Sequence, residues 1–305
     1  MRSPTQRDLD VSDVTGFVQS ALGPVGVRDA GELSGGGFAA VWRVDLADGR
    51  SVVLKVGPPP GARLLGYEKD LMAAEAEYFR LVRSTVPEVP VPELLHEDDG
   101  WLVMTLLPGR PLTEVTDGAS VRAELGAAVA RLHTVTGPHF GYTGDRPAAA
   151  DWPTAFGKII DSLRADAAAW NVPLPPLDGL VARHERTLKL VTRPALVHFD
   201  LWDGNVLSED GRLTGLVDGE RFLYGDPLID LVSPAVLKRI EDEPDHPFLR
   251  GYRVTLDEGA RIRLGLYRVF LYTLMIAEGP SRAIPVGGER HTYLTGLLEE
   301  ELARL

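Results

Sequence analysis

The sequence predicts an α+β protein built of two lobes. Its 305 residues are 44% hydrophobic, which is enough to bury a large core in one big domain or in two lobes. Strand-type runs dominate the first third, and helical periodicity takes over after the segment LPGRPL, which ends near residue 112. We therefore expect an N-terminal antiparallel sheet lobe with one main helix over residues 1–107 and a larger, mainly helical lobe over residues 108–305.

The N-terminal lobe is predicted from three strand-type runs and one helix. A turn at Asp48-Gly49 joins the first two of the runs Val41–Leu46, Ser51–Val56 and Trp101–Leu106. The helix is expected over Tyr67–Ser84, where apolar residues recur at steps of three and four. The proline-spaced segment 87–92 follows it and is expected to be extended, since each proline disfavours helix in the residue before it.

The C-terminal lobe is predicted to be mostly helical. Ser120 is a candidate N-cap for one helix and Asp151 for another. Further helices are expected around residues 177–191 and 256–278. Short apolar runs between residues 194 and 218 favour a small sheet that carries loops.

Composition excludes several classes of partner. A net charge of −12 argues against a nucleic-acid or anionic-membrane partner. The chain has no cysteine, so disulfides and thiolate metal sites are excluded. It shows no secretory signal, and its longest apolar run, residues 269–277, is too short to span a bilayer. We expect a soluble cytoplasmic protein with no nucleic-acid, membrane or obligate protein partner.

The strongest motif is HFDLWDGN, residues 198–205, followed by Asp218. An aspartate, an amide five residues later and a second carboxylate are what phosphoryl transfer from a metal-bound nucleotide requires. The chain contains two asparagines, so a chance match to His-x-Asp-x-x-x-x-Asn has a probability of about one in a hundred.

Two features upstream fit the same chemistry. Gly35, Gly36 and Gly37 lie between strand-type segments, where backbone N–H groups can approach phosphate oxygens, although a glycine-rich hairpin turn is the common alternative. Lys55 is the one charge in an apolar strand, so it either has a partner or ligand or faces solvent. Glu68, Glu75 and Glu77 of the next helix are available as its partner, and Glu75 is the expected one because it lies one turn before Tyr78 on the apolar side.

The runs HFDLWDGNVL and LVDGERFLYGDPLIDL resemble the aminoglycoside phosphotransferase family, small-molecule kinases of the protein-kinase-like fold. The resemblance covers nearly the whole chain, from Gly35 to the helices after Asp230. It implies that Asp200 is the catalytic aspartate and that Asn205 and Asp218 are Mg²⁺ ligands. Lys55 would contact the α- and β-phosphates, with Glu75 as its partner by analogy.

The resemblance also assigns the adenine site and the support of the catalytic loop. The backbone of Thr105 to Leu107 would hydrogen-bond adenine, with Met104 as a pocket wall. His198 would organise the loop rather than act as the base, and Asp230 could hold loop N–H groups.

Two departures from the protein-kinase pattern affect these expectations. The glycine loop SGGGFAA lacks the last glycine of G-x-G-x-x-G, which predicts a looser phosphate cap. Asp218-Gly219-Glu220 replaces Asp-Phe-Gly, and no long activation loop follows, so a protein substrate is disfavoured. Glu220 could contact a second metal through water, but a salt bridge with Arg221 is the preferred interpretation.

We therefore expect an ATP- and Mg²⁺-dependent kinase, with GTP as an alternative donor, acting on a hydroxyl of a small molecule. An aminoglycoside or other antibiotic is the first hypothesis, which would make the protein a resistance enzyme. The alternatives are a metabolite kinase of the homoserine, choline, methylthioribose or fructosamine type, and a nucleotide-binding pseudokinase. Acidic residues that could receive amino groups, or form a solvated surface, are Asp257, Glu258, Glu289 and Glu299 to Glu301.

Overall fold

The computed structural model describes residues 2–305, and its first lobe is built on one antiparallel sheet of order β1-β2-β3-β5-β4. The strands are β1 (Val27–Glu32), β2 (Ala40–Leu46), β3 (Ser51–Val56), β4 (Leu94–Asp98) and β5 (Trp101–Thr105). The three predicted strands are present with ends that differ by at most one residue. Lys55, on β3, is opposite Val41 of β2 and Leu102 of β5, so it occupies the middle of the sheet.

Two helices cover the two faces of this sheet. Helix α1 (Val11–Leu22) begins at a capping box between Asp10 and Asp13, and it buries Val14 and Val18 against one face. Helix α2 (Leu71–Thr85) packs on the other face, within the larger core that extends into the second lobe. The sequence prediction omitted α1, although its capping box and its four-residue apolar step were visible.

The second lobe combines helices with two small sheets. Its helices are α3 (Ala119–Leu132), α4 (Trp152–Ala169), α5 (Leu180–Arg183), α6 (Glu185–Leu188), α7 (Pro247–Tyr252), α8 (Glu258–Ala277) and α9 (Glu289–Arg304). Its strands are β6 (Arg110–Pro111), β7 (Phe140–Gly141), β8 (Ala148–Ala149), β9 (Ala195–Val197), β10 (Val206–Glu209), β11 (Arg212–Leu216) and β12 (Leu223–Gly225). The sheets have orders β11-β10-β6 and β8-β7-β12-β9. The α+β, two-lobed fold class is confirmed.

Three predictions for this lobe have different outcomes. Asp151 does cap α4, since its carboxylate accepts the Thr154 N–H at 3.0 Å. The prediction of Ser120 as an N-cap was wrong, because α3 begins at residue 119 and the Ser120 hydroxyl instead donates to the carbonyl of Gly211. The single helix expected over residues 177–191 was also wrong. It is two short helices, α5 and α6, which each bury one leucine and therefore lack a continuous apolar stripe.

The segment between β3 and α2, residues 57–70, reaches across to the second lobe. The Arg63 guanidinium lies 4.1 Å from the ring centre of Trp170, and the Gly66 N–H lies 2.8 Å from both carboxylate oxygens of Asp166. The connection therefore ties the sheet lobe to the end of α4.

Across residues 2–305, none of the helices combines the length and the apolar character that crossing a bilayer requires.

Close packing of α3 against α7 generates a prediction about glycine. A β-carbon at Gly126 would overlap the carbonyl of Phe248, whereas one at Gly16 of α1 would meet nothing within 4 Å. Gly126→Ala should therefore destabilise the protein by about 1 to 3 kcal/mol through overpacking. Gly16→Ala, the matched helical control, should stabilise it by about 0.5 to 1 kcal/mol. Urea unfolding of both variants measures this, and a stabilising Gly126→Ala would contradict the packing described here.

Candidate active site

A buried lysine surrounded by three carboxylates forms the centre of the candidate site. The Lys55 Nζ lies 2.7 Å from Glu75, 2.8 Å from Asp218 and 3.0 Å from Glu220. Lys55 comes from β3 and Glu75 from α2, while the other two carboxylates belong to the segment after β11. The Lys55 side chain is 5% exposed and that of Glu75 is 1% exposed, while that of Asp218 is 34% exposed, so water reaches the cluster from the Asp218 side.

The charges of this cluster shift one another. Burial opposes the charge of Lys55, but the surrounding carboxylates outweigh it and raise the lysine pKa well above its usual value. Burial raises the pKa of Glu75, with Lys55 acting against that rise. For Asp218, burial works to raise the pKa, yet Lys55 holds it below its usual value. Three acidic side chains around one ammonium leave the cluster with more acidic groups than one cation can neutralise.

The loop at residues 198–205 is held by Asp230. Its carboxylate accepts the N–H of His198 at 3.0 Å and that of Phe199 at 2.6 Å. Phe199 has a φ of 69°, a left-handed conformation that a bulky residue keeps only under restraint. The Ser233 hydroxyl accepts a hydrogen bond from the N–H of Leu201 at 3.0 Å. Asp230 therefore holds loop N–H groups in the structure, as the sequence allowed.

His198 connects this loop to Asp218 through the backbone. Its Nε2 lies 3.1 Å from the carbonyl of Val217, an atom that can only accept, so Nε2 carries the proton. Its Nδ1 then accepts the N–H of Asp200 at 3.2 Å. Burial lowers the His198 pKa, which is consistent with this neutral tautomer. The imidazole is thus committed at both nitrogens to fixing the loop.

Asp200 lies at the edge of the cluster with its carboxylate 19% exposed. Burial raises its pKa to about 7, while the opposing effect of Arg221 limits the rise. The Arg221 Nε lies 3.7 Å from the Asp200 carboxylate. The Asp200 side chain is therefore partly exposed to solvent, and its pKa is about 7. Both properties suit a group that accepts a proton.

Asn205 and Asp218 offer oxygen ligands of the kind that Mg²⁺ prefers. The Asn205 Nδ2 donates to the carbonyl of Asp200 at 2.9 Å, so its Oδ1 is the amide atom left for a cation. The Val217 N–H donates to the carbonyl of Asn205 at 3.1 Å, which brings the asparagine beside the residue before Asp218. Together with the excess negative charge, this donor set fits a hard divalent cation.

The expected salt bridge between Glu220 and Arg221 is not what the structure shows. Glu220 pairs with Lys55, and Arg221 instead pairs with Glu278, with its Nη2 3.0 Å from that carboxylate. Glu220 and Arg221 follow each other in a short helical turn, 219–221, in which successive side chains leave in different directions, and each has a different partner. The ligand atoms of Glu75, Asp218 and Glu220 all lie within 4.8 Å of one another, around the position of the Lys55 Nζ.

The glycine-rich loop links β1 to β2, as expected, and has its own contacts. The Thr5 hydroxyl donates to the carbonyl of Gly37 at 3.0 Å, and the Gln6 amide donates to that of Gly36 at 3.1 Å. Gly35 has a φ of 115°, a conformation that favours glycine. These bonds use carbonyl groups, so they do not occupy the N–H groups of the loop.

The connector between the lobes follows β5. Met104 is buried in the sheet, as a pocket wall would be. The N–H groups of Thr105 and Leu106 are bonded to Glu93 and Ser51. An N–H contact to adenine would therefore come from Leu107 rather than from Thr105.

Sequence reasoning missed a network across the lobes that reaches Asp200 through Arg221. Its members are Tyr67, Glu68, Arg221, Glu278 and Arg282. No local motif marks them, since they come from the β3–α2 segment, the turn after Asp218 and the end of α8. Glu68 was considered in the sequence only as a partner for Lys55, and in the structure it contacts Arg282 instead.

Comparison with known proteins identifies relatives. A family model described as the phosphotransferase enzyme family matches residues 30–264. A probable ketoamine kinase of Enterococcus faecium is 29% identical over 51% of this chain, and this chain spans 61% of that relative's length. A probable ketoamine kinase of Klebsiella aerogenes is 27% identical over 89% of this chain and 92% of its own length.

Solved structures share the fold. A putative fructosamine-3-kinase from Thermobifida fusca has a TM-score of 0.69 at 23% identity, covering 96% of this chain and 100% of that one. A thermostable mutant of aminoglycoside phosphotransferase APH(4)-Ia, in a ternary complex with ADP and hygromycin B, has a TM-score of 0.65 at 18% identity. That alignment covers 95% of this chain and 98% of the other.

The support of the loop by Asp230 can be tested by stability. Asp230→Ala would leave two buried amides and His133 without their acceptor, so it should cost at least about 3 kcal/mol, at about 1 to 3 kcal/mol for each orphaned group. Ser233→Ala orphans one amide and should cost about 1 to 3 kcal/mol. Urea unfolding compares the two variants, and equal losses would argue against a special role for Asp230.

Proposed function

Since the chain belongs to the phosphotransferase enzyme family and is a small-molecule kinase, we propose that it transfers the γ-phosphoryl group of ATP to a hydroxyl of a small molecule. The observation that carries this proposal is the juxtaposition of Asp200 with the buried cluster around Lys55. A partly exposed carboxylate of raised pKa lies beside a cluster in which three carboxylates surround one ammonium. Such a pair can align a hydroxyl with a nucleotide's terminal phosphate.

In this proposal each side chain has one task. Asp200 orients the acceptor hydroxyl and accepts its proton late, as the new P–O bond forms and the bond to the β-phosphate breaks. Lys55, held by Glu75, contacts the α- and β-phosphates. Asn205 Oδ1 and Asp218 would hold Mg²⁺, which when bound neutralises charge on the phosphates.

We propose a ketoamine, a sugar derivative with several hydroxyls and one substituted amine, as the acceptor. The probable ketoamine kinases similar to this chain support this choice. Two carboxylates of the network that reaches Asp200 through Arg221 support it as well. Glu278 and Glu68 are already paired with Arg221 and Arg282, so they do not offer free negative charge to a polycation.

An aminoglycoside or other antibiotic stays a second candidate because the fold is shared with aminoglycoside phosphotransferases. Its expected acidic binding residues give it less support. Asp257 caps α8, and Glu301 is buried between Arg239 and Arg268. The exposed residues Glu299 and Glu300 suit an ordinary solvated helix face.

The assignment of Asp200 and Asp218 predicts two different losses. Asp200→Ala should lower turnover by at least about 100-fold, because the hydroxyl loses its orienting group, while nucleotide affinity changes little. Asp218→Ala should instead weaken binding of the Mg²⁺-nucleotide complex, which isothermal titration calorimetry measures directly. Near-normal turnover in Asp200→Ala would refute the assignment of the base.

The acceptor is tested by a panel scored for acceptor-dependent release of ADP. The panel contains fructosyl-lysine and other ketoamines, homoserine, choline, methylthioribose and several aminoglycosides. We expect ketoamines to give the highest kcat/KM and polycationic aminoglycosides the lowest. Turnover with aminoglycosides alone would replace the ketoamine proposal by that of a resistance enzyme, with the phosphotransfer itself unchanged.

A further inference from the structure

The turn that follows α8, residues 278–282, is connected through Arg221 to Asp200, the base in the proposed function. Glu278 is 8% exposed and accepts from the Nη2 of Arg221 at 3.0 Å. The Nε of the same guanidinium lies 3.7 Å from Asp200. Glu278 therefore holds the Arg221 side chain, which lies between Glu278 and Asp200.

Through Arg282, the same turn also contacts the glycine-rich loop, where the nucleotide would bind. Its Nη2 lies 2.5 Å from Glu68 of the β3–α2 segment, and its guanidinium lies 5.2 Å from the ring centre of Phe38. Phe38 directly follows Gly37 in the glycine-rich loop. A side chain at position 37 would itself meet Arg282. Arg282 thus packs against the loop that would cover the phosphates.

Three further hydrogen bonds join the same pieces. The Tyr67 hydroxyl donates to Glu278 at 2.7 Å, which ties the β3–α2 segment to the turn. The Ser3 hydroxyl donates to the carbonyl of Ser281 at 3.2 Å, while the nearby Thr5 holds Gly37. Sheet lobe, glycine-rich loop and base therefore converge on one short turn of the second lobe.

We propose that Glu278 and Arg282 are positioning residues for the phosphoryl transfer. Arg282 fixes the glycine-rich loop over the nucleotide, and Glu278 fixes Arg221 and through it Asp200. Because both depend on the same turn, loop and base reach their working positions together when the lobes are closed. This inference rests on the proposed function, in which Asp200 receives the acceptor.

Burial of these charges favours two discrete states of the arrangement over a continuum. The charges alternate along the chain Asp200, Arg221, Glu278, Arg282 and Glu68. Moving the β3–α2 segment away would leave Glu68 and Arg282 without each other, and a desolvated charge without its partner is costly. Either the segment is closed with the chain complete, or it opens far enough for water to replace these contacts.

The test compares Glu278→Gln and Arg282→Met with Glu241→Gln. Glu241 is an equally buried glutamate held by Arg239 and Arg268, and it has no partner in the site, so it controls for loss of a structural ion pair. We expect Glu278→Gln to lower kcat by about 10- to 100-fold with nucleotide KM near the wild-type value, because a misplaced base affects the transfer step. Arg282→Met should raise the nucleotide KM by about tenfold. Glu241→Gln should lower the unfolding temperature and leave both constants unchanged.

A second readout does not depend on activity. Hydrogen exchange of residues 33–39, measured with MgADP, should be faster in Arg282→Met than in the wild type and unchanged in Glu241→Gln. Arg282→Lys keeps the positive charge next to Glu68 but removes the planar guanidinium that lies over the Phe38 ring. It should therefore show an intermediate exchange rate. If Glu278→Gln does not fold, Tyr67→Phe removes one contact of Glu278 and should still lower kcat.

The inference is overturned if Glu278→Gln and Arg282→Met lose stability as Glu241→Gln does while keeping kcat, KM and loop exchange. Asp200→Ala is included to separate the two proposals. If it retains turnover, the proposed function itself fails. If it is inactive while Glu278→Gln and Arg282→Met behave like the control, only the positioning roles fail.

Discussion

The ammonium of Lys55 among three carboxylates is the interaction on which the rest of the site depends. A lysine inside an apolar strand is tolerated only with compensation, and here the compensation comes from α2 and from the segment after β11. The cluster therefore fixes the helix against the sheet and the second lobe against the first. Its three carboxylates around one ammonium also give the cluster a surplus of acidic groups.

A second set of buried polar contacts fixes the loop that carries Asp200. Asp230 holds two of its N–H groups and keeps Phe199 in a left-handed conformation, and His198 joins the loop to Val217. Because these contacts hold the backbone of the loop, the Asp200 side chain itself stays partly exposed. Rigid support beneath a partly exposed acid is what alignment of an acceptor requires.

The two lobes share the larger hydrophobic core through α2, and a set of polar contacts also joins them. The β3–α2 segment reaches Asp166, Trp170 and Glu278, and the glycine-rich loop packs on Arg282. Contacts of this kind can be exchanged for water, which a continuous apolar interface cannot do at similar cost. Local movement of the β3–α2 segment is thus compatible with the shared core that holds the two lobes together.

The sequence by itself determined the strands that flank Lys55, the loop from His198 to Asn205, the second carboxylate at Asp218 and the family. These are local patterns, in which strand alternation and motif spacing are fixed by neighbours along the chain. It could select Glu75 over Glu77 because helical periodicity puts only the former on the buried side. Tertiary structure alone decided that Glu220 joins Lys55. It also decided that Tyr67, Glu68, Arg221, Glu278 and Arg282 form one network, which reaches Asp200 through Arg221. Those partners are up to about two hundred residues apart, and an ion pair at such separation leaves no periodic trace, since its geometry is set only when the lobes pack together.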